Sequence, residues 1–190
     1  MHAFIAAEIP EEIQNLLSKT QNELLSSTAC VKWVEPRNIH LTLRFLGEIN
    51  EDRTETVCGV IQEALRGVGA FSVSLSGLGA FPERENPRVI WVGINKGAKE
   101  LRAIAERLKN MPEGCGKSAE ERPFSAHITL GRVRSNDNSA ALKKLLGDER
   151  AAAQLNRGKY VLKAVSLLRS TLTGSGPLYA PLRTFNLTTT

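Results

Sequence analysis

Two copies of one short phrase constrain this chain more than any other feature in it. His40-Leu41-Thr42-Leu43 returns as His127-Ile128-Thr129-Leu130, and the pair uses two of only three histidines. Side chains alternate between the faces of an extended strand. Each phrase therefore puts an imidazole and a hydroxyl on one face and two aliphatic side chains on the other. The aliphatic face belongs in a core, so the chain needs two strands that are buried behind and open in front. A lone strand histidine is ordinarily a satisfied, half-buried side chain. Two of them with matching threonines point instead to a paired acid–base site.

Periodicity and punctuation supply the remaining elements. Residues 3–9 read as a short buried strand, and Pro10-Glu11-Glu12 opens a helix reaching Ser26, with Ile13, Leu16, Leu17, Leu24 and Leu25 at helical spacing. Residues 31–34 form a second strand, and the turn Pro36-Arg37-Asn38 feeds the first phrase, a strand over 39–46. A second helix carries Val57, Val60, Ile61, Ala64 and Leu65 and stops at Gly67. Residues 71–75 alternate as a strand with one wet face. Gly77, Gly79 and Pro82 then break the pattern before a hairpin loop at 83–87 and a strand over 88–94. A third helix holds Leu101, Ile104, Ala105 and Leu108, and residues 111–117 are a loop before the second phrase, a strand over 124–133. A short helix near 140–146 follows. Two long strands, 159–169 and 179–187, joined by a turn at 173–177, close the chain.

Strands joined by short turns and mixed irregularly with helices imply an α+β class with antiparallel pairing. A chain of 190 residues is expected to form one domain over residues 1–190. The twin phrases imply two similar lobes facing one another across a cleft, each contributing one His-x-Thr strand.

Composition narrows the partners. A net charge of +5 favours an anionic ligand through long-range attraction. Cys30, Cys58 and Cys115 are an odd number with no close spacing, which suggests neither a disulfide framework nor a zinc cluster. The longest apolar run, Val89 to Ile94, is too short to cross a bilayer, and residues 1–4 lack the start of a signal peptide. A soluble cytoplasmic protein without membrane association is expected. A metal site is disfavoured because neither interior histidine has a second ligand at the usual spacing.

Two imidazoles on opposite sides of a phosphate suit in-line displacement at phosphorus. One takes a proton from the attacking water and the other gives one to the leaving oxygen, each transfer worth about 10²–10⁴-fold in rate. An ordinary pKa near 6.5 lets opposite protonation states coexist, so a bell-shaped rate profile bracketing neutrality is expected. Thr42 and Thr129 can donate to the non-bridging oxygens. Alternation puts Arg44 on the face of His40. Parity turns Arg132 away from His127, unless Gly131 permits a bulge that brings it back. Trp33, Phe45 and Phe124 flank the phrases, where an aromatic ring could stack on a base or pack in the core.

These residues resemble the two-histidine (2H) phosphoesterase superfamily, and within it the RNA 2′,3′-cyclic phosphodiesterases, historically named 2′-5′ RNA ligases. The resemblance takes in Phe4-Ile5-Ala6, Trp33-Val34, the run from His40 to Glu48, Arg122-Pro123-Phe124 and the run from His127 to Arg132. It implies a bilobal, pseudo-twofold symmetric fold in which two mainly antiparallel sheets line a central cleft with helices packed outside. It implies hydrolysis of an RNA or oligonucleotide 2′,3′-cyclic phosphate end to a 2′-phosphate by a monomer, without metal or other cofactor. His40 and His127 would be catalytic, His40 as acid and His127 as base. Thr42, Thr129 and Arg132 would hold the phosphate, with Arg44 and Phe45 as further substrate contacts. Many relatives carry proline before the second histidine, where this chain has Ser125-Ala126. Arg37, Arg84, Arg88 and Lys117 are candidates to receive an RNA backbone. A 2′-5′ phosphodiesterase or ligase, and an ADP-ribose cyclic phosphate hydrolase, are alternatives within the superfamily. A non-enzymatic RNA-binding protein is the alternative outside it, and it would not need two proton carriers.

Overall fold

The computed structural model describes residues 1–110, 112, 115–116, 123–135, 137–174 and 176–188. The first strand, β1 (His2–Ala7), is buried almost throughout. Pro10, Glu11 and Glu12 start α1 (Glu11–Leu25), proline by pre-setting the first turn and the acids by meeting the positive end of the helix. β2 (Val31–Trp33) and a 3₁₀ turn (Pro36–Asn38) lead into β3 (Leu41–Glu48). Next come α2 (Thr54–Ala64), the antiparallel pair β4 (Phe71–Pro82) and β5 (Pro87–Ile94), and α3 (Ala98–Arg107). β6 (His127–Val133), α4 (Ser139–Leu146) and α5 (Glu149–Leu155) follow. The chain closes with β7 (Lys159–Leu162), β8 (Ala164–Thr173) and β9 (Gly176–Asn186). Most of the loop expected at 111–117, Lys117 included, and Arg122 lie outside the described residues; Cys115, within that loop, is fully buried.

The strands form two antiparallel sheets, ordered β3-β1-β8-β9 and β2-β6-β5-β4-β7. Each sheet holds one of the twin phrases. The lobes are interleaved rather than sequential: the first sheet draws its strands from both ends of the chain, and most of the second comes from the middle. The helices cross over as well. α1 follows a strand of the first sheet but packs with α4 and α5, and its Gln21 Nε2 donates to the Leu130 carbonyl of β6 at 2.8 Å. α3 lies between two strands of the second sheet yet contacts β3. Its Arg107 donates to the carbonyls of Ala64 and Arg66, at the end of α2, at 3.2 Å. One continuous core results, with Leu41, Leu43, Ile90, Leu101, Ile128 and Leu130 buried in it. Each such side chain contributes about 1.5–3 kcal/mol on burial, so the open faces of the two phrases are held by the strongest term in the fold. Among the described residues no helix is long and apolar enough to cross a membrane.

Three elements differ from the sequence expectation. β4 runs for 12 residues, straight through Gly77 and Gly79. Gly79 stands opposite Trp91 of β5, and a Cβ there would lie 2.2 Å from the indole Cη2. The glycine makes room for a ring inside the strand instead of ending it. The strand expected over 159–169 is two strands. β7 pairs with β4 in the second sheet, and the chain crosses at Lys163 so that β8 pairs with β1 in the first. Residues 149–155, unassigned from the sequence, form α5, whose N-cap Asp148 accepts from the Arg150 amide at 2.8 Å.

Candidate active site

Cross-strand partners decide which side chains face the cleft. In β3, Thr42 stands opposite Ala6, Arg44 opposite Ile5 and Phe45 opposite Phe4. The register slips between these pairs, which leaves Leu43 and Leu46 as extra residues in two bulges. Ile5 lies in the core, so Arg44 shares the core side, where its Nη1 donates to the Leu108 carbonyl just past α3. Strict alternation placed Arg44 beside His40; the bulge at Leu43 turns it behind the sheet. The same bulges put Phe45 on the face of Phe4, where its ring is 60% exposed.

β6 behaves in the opposite sense. His127 stands opposite Gly93, Thr129 opposite Trp91, Gly131 opposite Ile90 and Arg132 opposite Val89, with one slip at Leu130. That slip corrects the parity and brings the exposed Arg132 onto the face of His127 and Thr129. Gly131 faces the core side, where a Cβ would lie 2.7 Å from Val31 and 2.9 Å from the Trp33 ring. Its missing side chain lets β2 close against β6. Trp33 and Phe124 are partly buried against the core.

The two histidines sit in matching surroundings. His40 Nδ1 is 2.6 Å from the carbonyl of Asn38, and His127 Nδ1 is 2.7 Å from the carbonyl of Ser125. A carbonyl only accepts, so Nδ1 carries the hydrogen in both rings and Nε2 is the atom left for chemistry. Each ring also leans on two aromatics of its own sheet. His40 lies 4.7 Å from Phe4 and 5.2 Å from Tyr179, and His127 lies 5.1 Å from Phe81 and 6.1 Å from Trp91.

Burial sets the electrostatics. It lowers the pKa of His40 below the ordinary 6.5, against the raising effect of the bond to Asn38. It lowers His127 likewise, with the bond to Ser125 opposing and the charge of Arg132 adding to the fall. Tyr179 is raised by burial and pulled back by the same Arg132. The guanidinium therefore bears on both lobes, on His127 from its own strand and on the tyrosine that packs against His40. β3 and β6 are themselves in contact, so the strands that carry the two phrases adjoin.

A model of LigT-like phosphoesterases matches residues 7–91 and again residues 92–179. The chain belongs to this family, part of the two-histidine superfamily. A protein of Methanothermobacter thermautotrophicus named RNA 2′,3′-cyclic phosphodiesterase is 33% identical over 187 residues, spanning 98% of this chain and 99% of the relative. One of the same name from Aeropyrum pernix is 36% identical over 168 residues, 87% of this chain and 92% of the relative. The crystal structure of TT0787 from Thermus thermophilus superposes with a TM-score of 0.76 at 26% identity, covering 100% of this chain and 99% of that one.

The register puts Thr42 and Phe45 on one face of the first sheet with Phe4, which packs on His40, and His127, Thr129 and Arg132 on one face of the second; it leaves Arg44 on the core side. Sequence reasoning missed Phe81, Trp91 and Tyr179, and it read Phe4 only as strand. Their contacts with the histidines form between strands, so no local pattern marks the rings out; Gly79, opposite Trp91, is the local sign that a large group needs space. Of the basic residues singled out, Arg37 pairs with Glu35 at 2.8 Å and lines a cavity beside His40. Arg84 donates to the Leu78 carbonyl at 2.7 Å, and Arg88 is exposed.

Proposed function

We propose that this LigT-like phosphoesterase hydrolyses the terminal 2′,3′-cyclic phosphate of an RNA or oligonucleotide to a 2′-phosphate, using its two histidines and no metal ion. The matched Nδ1–carbonyl bonds carry the reading, because they fix the same tautomer in both rings and leave Nε2 as the reacting nitrogen of each. His127 Nε2 takes a proton from water as its oxygen bonds to phosphorus. The P–O3′ bond breaks, and His40 Nε2–H delivers its proton to O3′. Arg132 favours this division, since its charge helps keep His127 neutral and able to accept a proton. Thr42 and Thr129 donate to the non-bridging oxygens, and Arg132 offsets the charge that gathers there. Phe45 offers an exposed ring for a base to stack on. Both histidines come from one chain, so a monomer suffices. The relatives named above for this reaction support the substrate class.

The test is turnover of an oligoribonucleotide 2′,3′-cyclic phosphate with chelator present, read by phosphorus NMR. A 2′-phosphate product is expected, with rates falling about 10²–10⁴-fold in His40→Ala and in His127→Ala. Undiminished turnover in either variant, or loss of activity on chelation alone, overturns the mechanism.

A further inference from the structure

A cavity of about 330 Å³ opens beside His40, walled by Ala6, Leu168, Pro181 and Tyr179. Its polar lining holds a relay of three side chains, from Glu8 just past β1, Ser166 of β8 and Thr184 of β9. The Ser166 hydroxyl donates to Glu8 Oε1 at 2.7 Å, and Ser166 and Thr184 hydroxyls lie 2.7 Å apart. Ser166 has one proton and gives it to Glu8, so in that pair Thr184 is the donor. Ser166 is only 4% exposed, which anchors the relay. Thr184 Oγ1 also lies 3.4 Å from Glu8 Oε1, so the two hydroxyls fix the carboxylate through one oxygen; that oxygen keeps a second lone pair, and with Oε2 it can accept a two-donor fork. A phosphate is poorly served here, because the cavity's cation, Arg37, is already paired with Glu35 and the carboxylate repels an anion. A flat neutral group carrying hydrogen-bond donors fits both walls and polar lining.

We propose that this cavity is the subsite for the base of the terminal nucleoside, and that Glu8 makes it prefer guanine. The inference rests on the assignment of His40 to O3′, which puts the ribose and its base on the His40 side of the phosphorus. Guanine presents N1–H and N2–H side by side on its Watson–Crick edge, a two-donor fork that a carboxylate accepts as it accepts the fork of arginine. Adenine, cytosine and uracil have no such adjacent pair on that edge. Ala6 keeps the entrance low next to Thr42, its partner across the strands. Tyr179 links the two subsites by touching the His40 ring and lining the cavity.

The experiment measures kcat/KM for the four nucleoside 2′,3′-cyclic phosphates and, separately, calorimetric binding of the four nucleoside 2′-monophosphates. Wild-type protein should favour guanosine by about tenfold or more in both, the scale of one bidentate base contact. Glu8→Gln, matched for folding by thermal unfolding, should lose that preference and leave the other three bases near their wild-type values. Ser166→Ala, which frees the carboxylate from its relay, should reduce the preference without abolishing turnover. Equal treatment of the four bases, or a guanosine preference that survives Glu8→Gln, overturns the subsite while the cyclic phosphodiesterase reading stands. Guanosine-selective binding that Glu8→Gln abolishes, with no hydrolysis of any substrate, upholds the subsite and sinks the reaction.

Discussion

The Asn38 carbonyl accepts from His40 Nδ1 at 2.6 Å, while the side-chain amide of the same residue donates to the Pro177 carbonyl at 2.8 Å. Asn38 is 4% exposed, so neither bond competes with bulk water. Two residues past Pro177, Tyr179 rests edge-on against the His40 ring. The β8–β9 hairpin thus holds His40 twice, once through its ring and once through the turn that precedes it.

Asn38→Ala should therefore act as the loss of a positioning residue. The backbone carbonyl remains, but the turn is released from the hairpin, and unfolding free energy should fall by about 1 kcal/mol. A displacement of the imidazole by a fraction of an ångström should lower kcat about tenfold with little change in KM, since misplacement by about 1 Å can cost 10²-fold. Steady-state kinetics beside thermal unfolding separates the effects. A variant that loses stability but keeps its kcat would show that the hairpin clamp does not reach the ring.

Burial of the two imidazoles sets the pH dependence. The sequence alone puts the limbs of the bell around neutrality; lowering of both histidines by burial moves the maximum of kcat/KM to the acid side of 6.5. Arg132→Gln removes one of the influences that lower His127, so one limb should move to higher pH while the other stays. Folding follows the same sign. Groups that take protons more readily unfolded than folded lose stability for the protein as pH falls below about 6.5. Thermal midpoints recorded downward from neutrality should therefore drop, and His40→Asn with His127→Asn should flatten that drop.

How much was legible in the sequence depends on which interactions are local. Thr42 and Thr129 land on the cleft side because a strand buried behind and open in front must alternate, and four residues are enough to show it. Arg132 required a bulge, and Gly131 gave a visible sign of one. Arg44 was lost to a bulge at Leu43, an aliphatic residue that looks like any other inward-facing position. Tyr179 and Phe81 reach the histidines through pairing between distant strands, and register is not written in any single segment. The interleaving of the lobes was hidden for the same reason: β1 recruits β8 from the far end of the chain.

The two arginines should separate cleanly by substitution with methionine. Arg44→Met leaves the Leu108 carbonyl without this donor in the core and should cost about 1–3 kcal/mol of stability, with kcat retained by the folded fraction. Arg132→Met is exposed and should unfold near the wild-type temperature, while kcat falls about 10²-fold from lost charge stabilisation. Denaturant titration and initial rates on both variants check the pair. A reversed pattern, with Arg44 needed for turnover and Arg132 for stability, would mean that the bulge assignments in β3 and β6 are wrong.

Gly79 couples packing to the second histidine. Its backbone is not in the left-handed region, so alanine is opposed there by space alone. The added methyl would lie 2.2 Å from Trp91 Cη2, closer than carbon atoms approach, and the indole must move. Trp91 packs 5.0 Å from Phe81, and both rings flank His127. Gly79→Ala should therefore cost about 1–3 kcal/mol by overpacking and also lower kcat, because the ring that loses its seat is the one beside the imidazole. A double-mutant cycle with Trp91→Leu assigns the cause. In the leucine background the three indole atoms nearest the methyl are gone, so its cost should shrink and the two changes should couple by about 0.5–3 kcal/mol. Additive losses in unfolding free energy would place the clash elsewhere and detach Gly79 from the His127 side of the cleft.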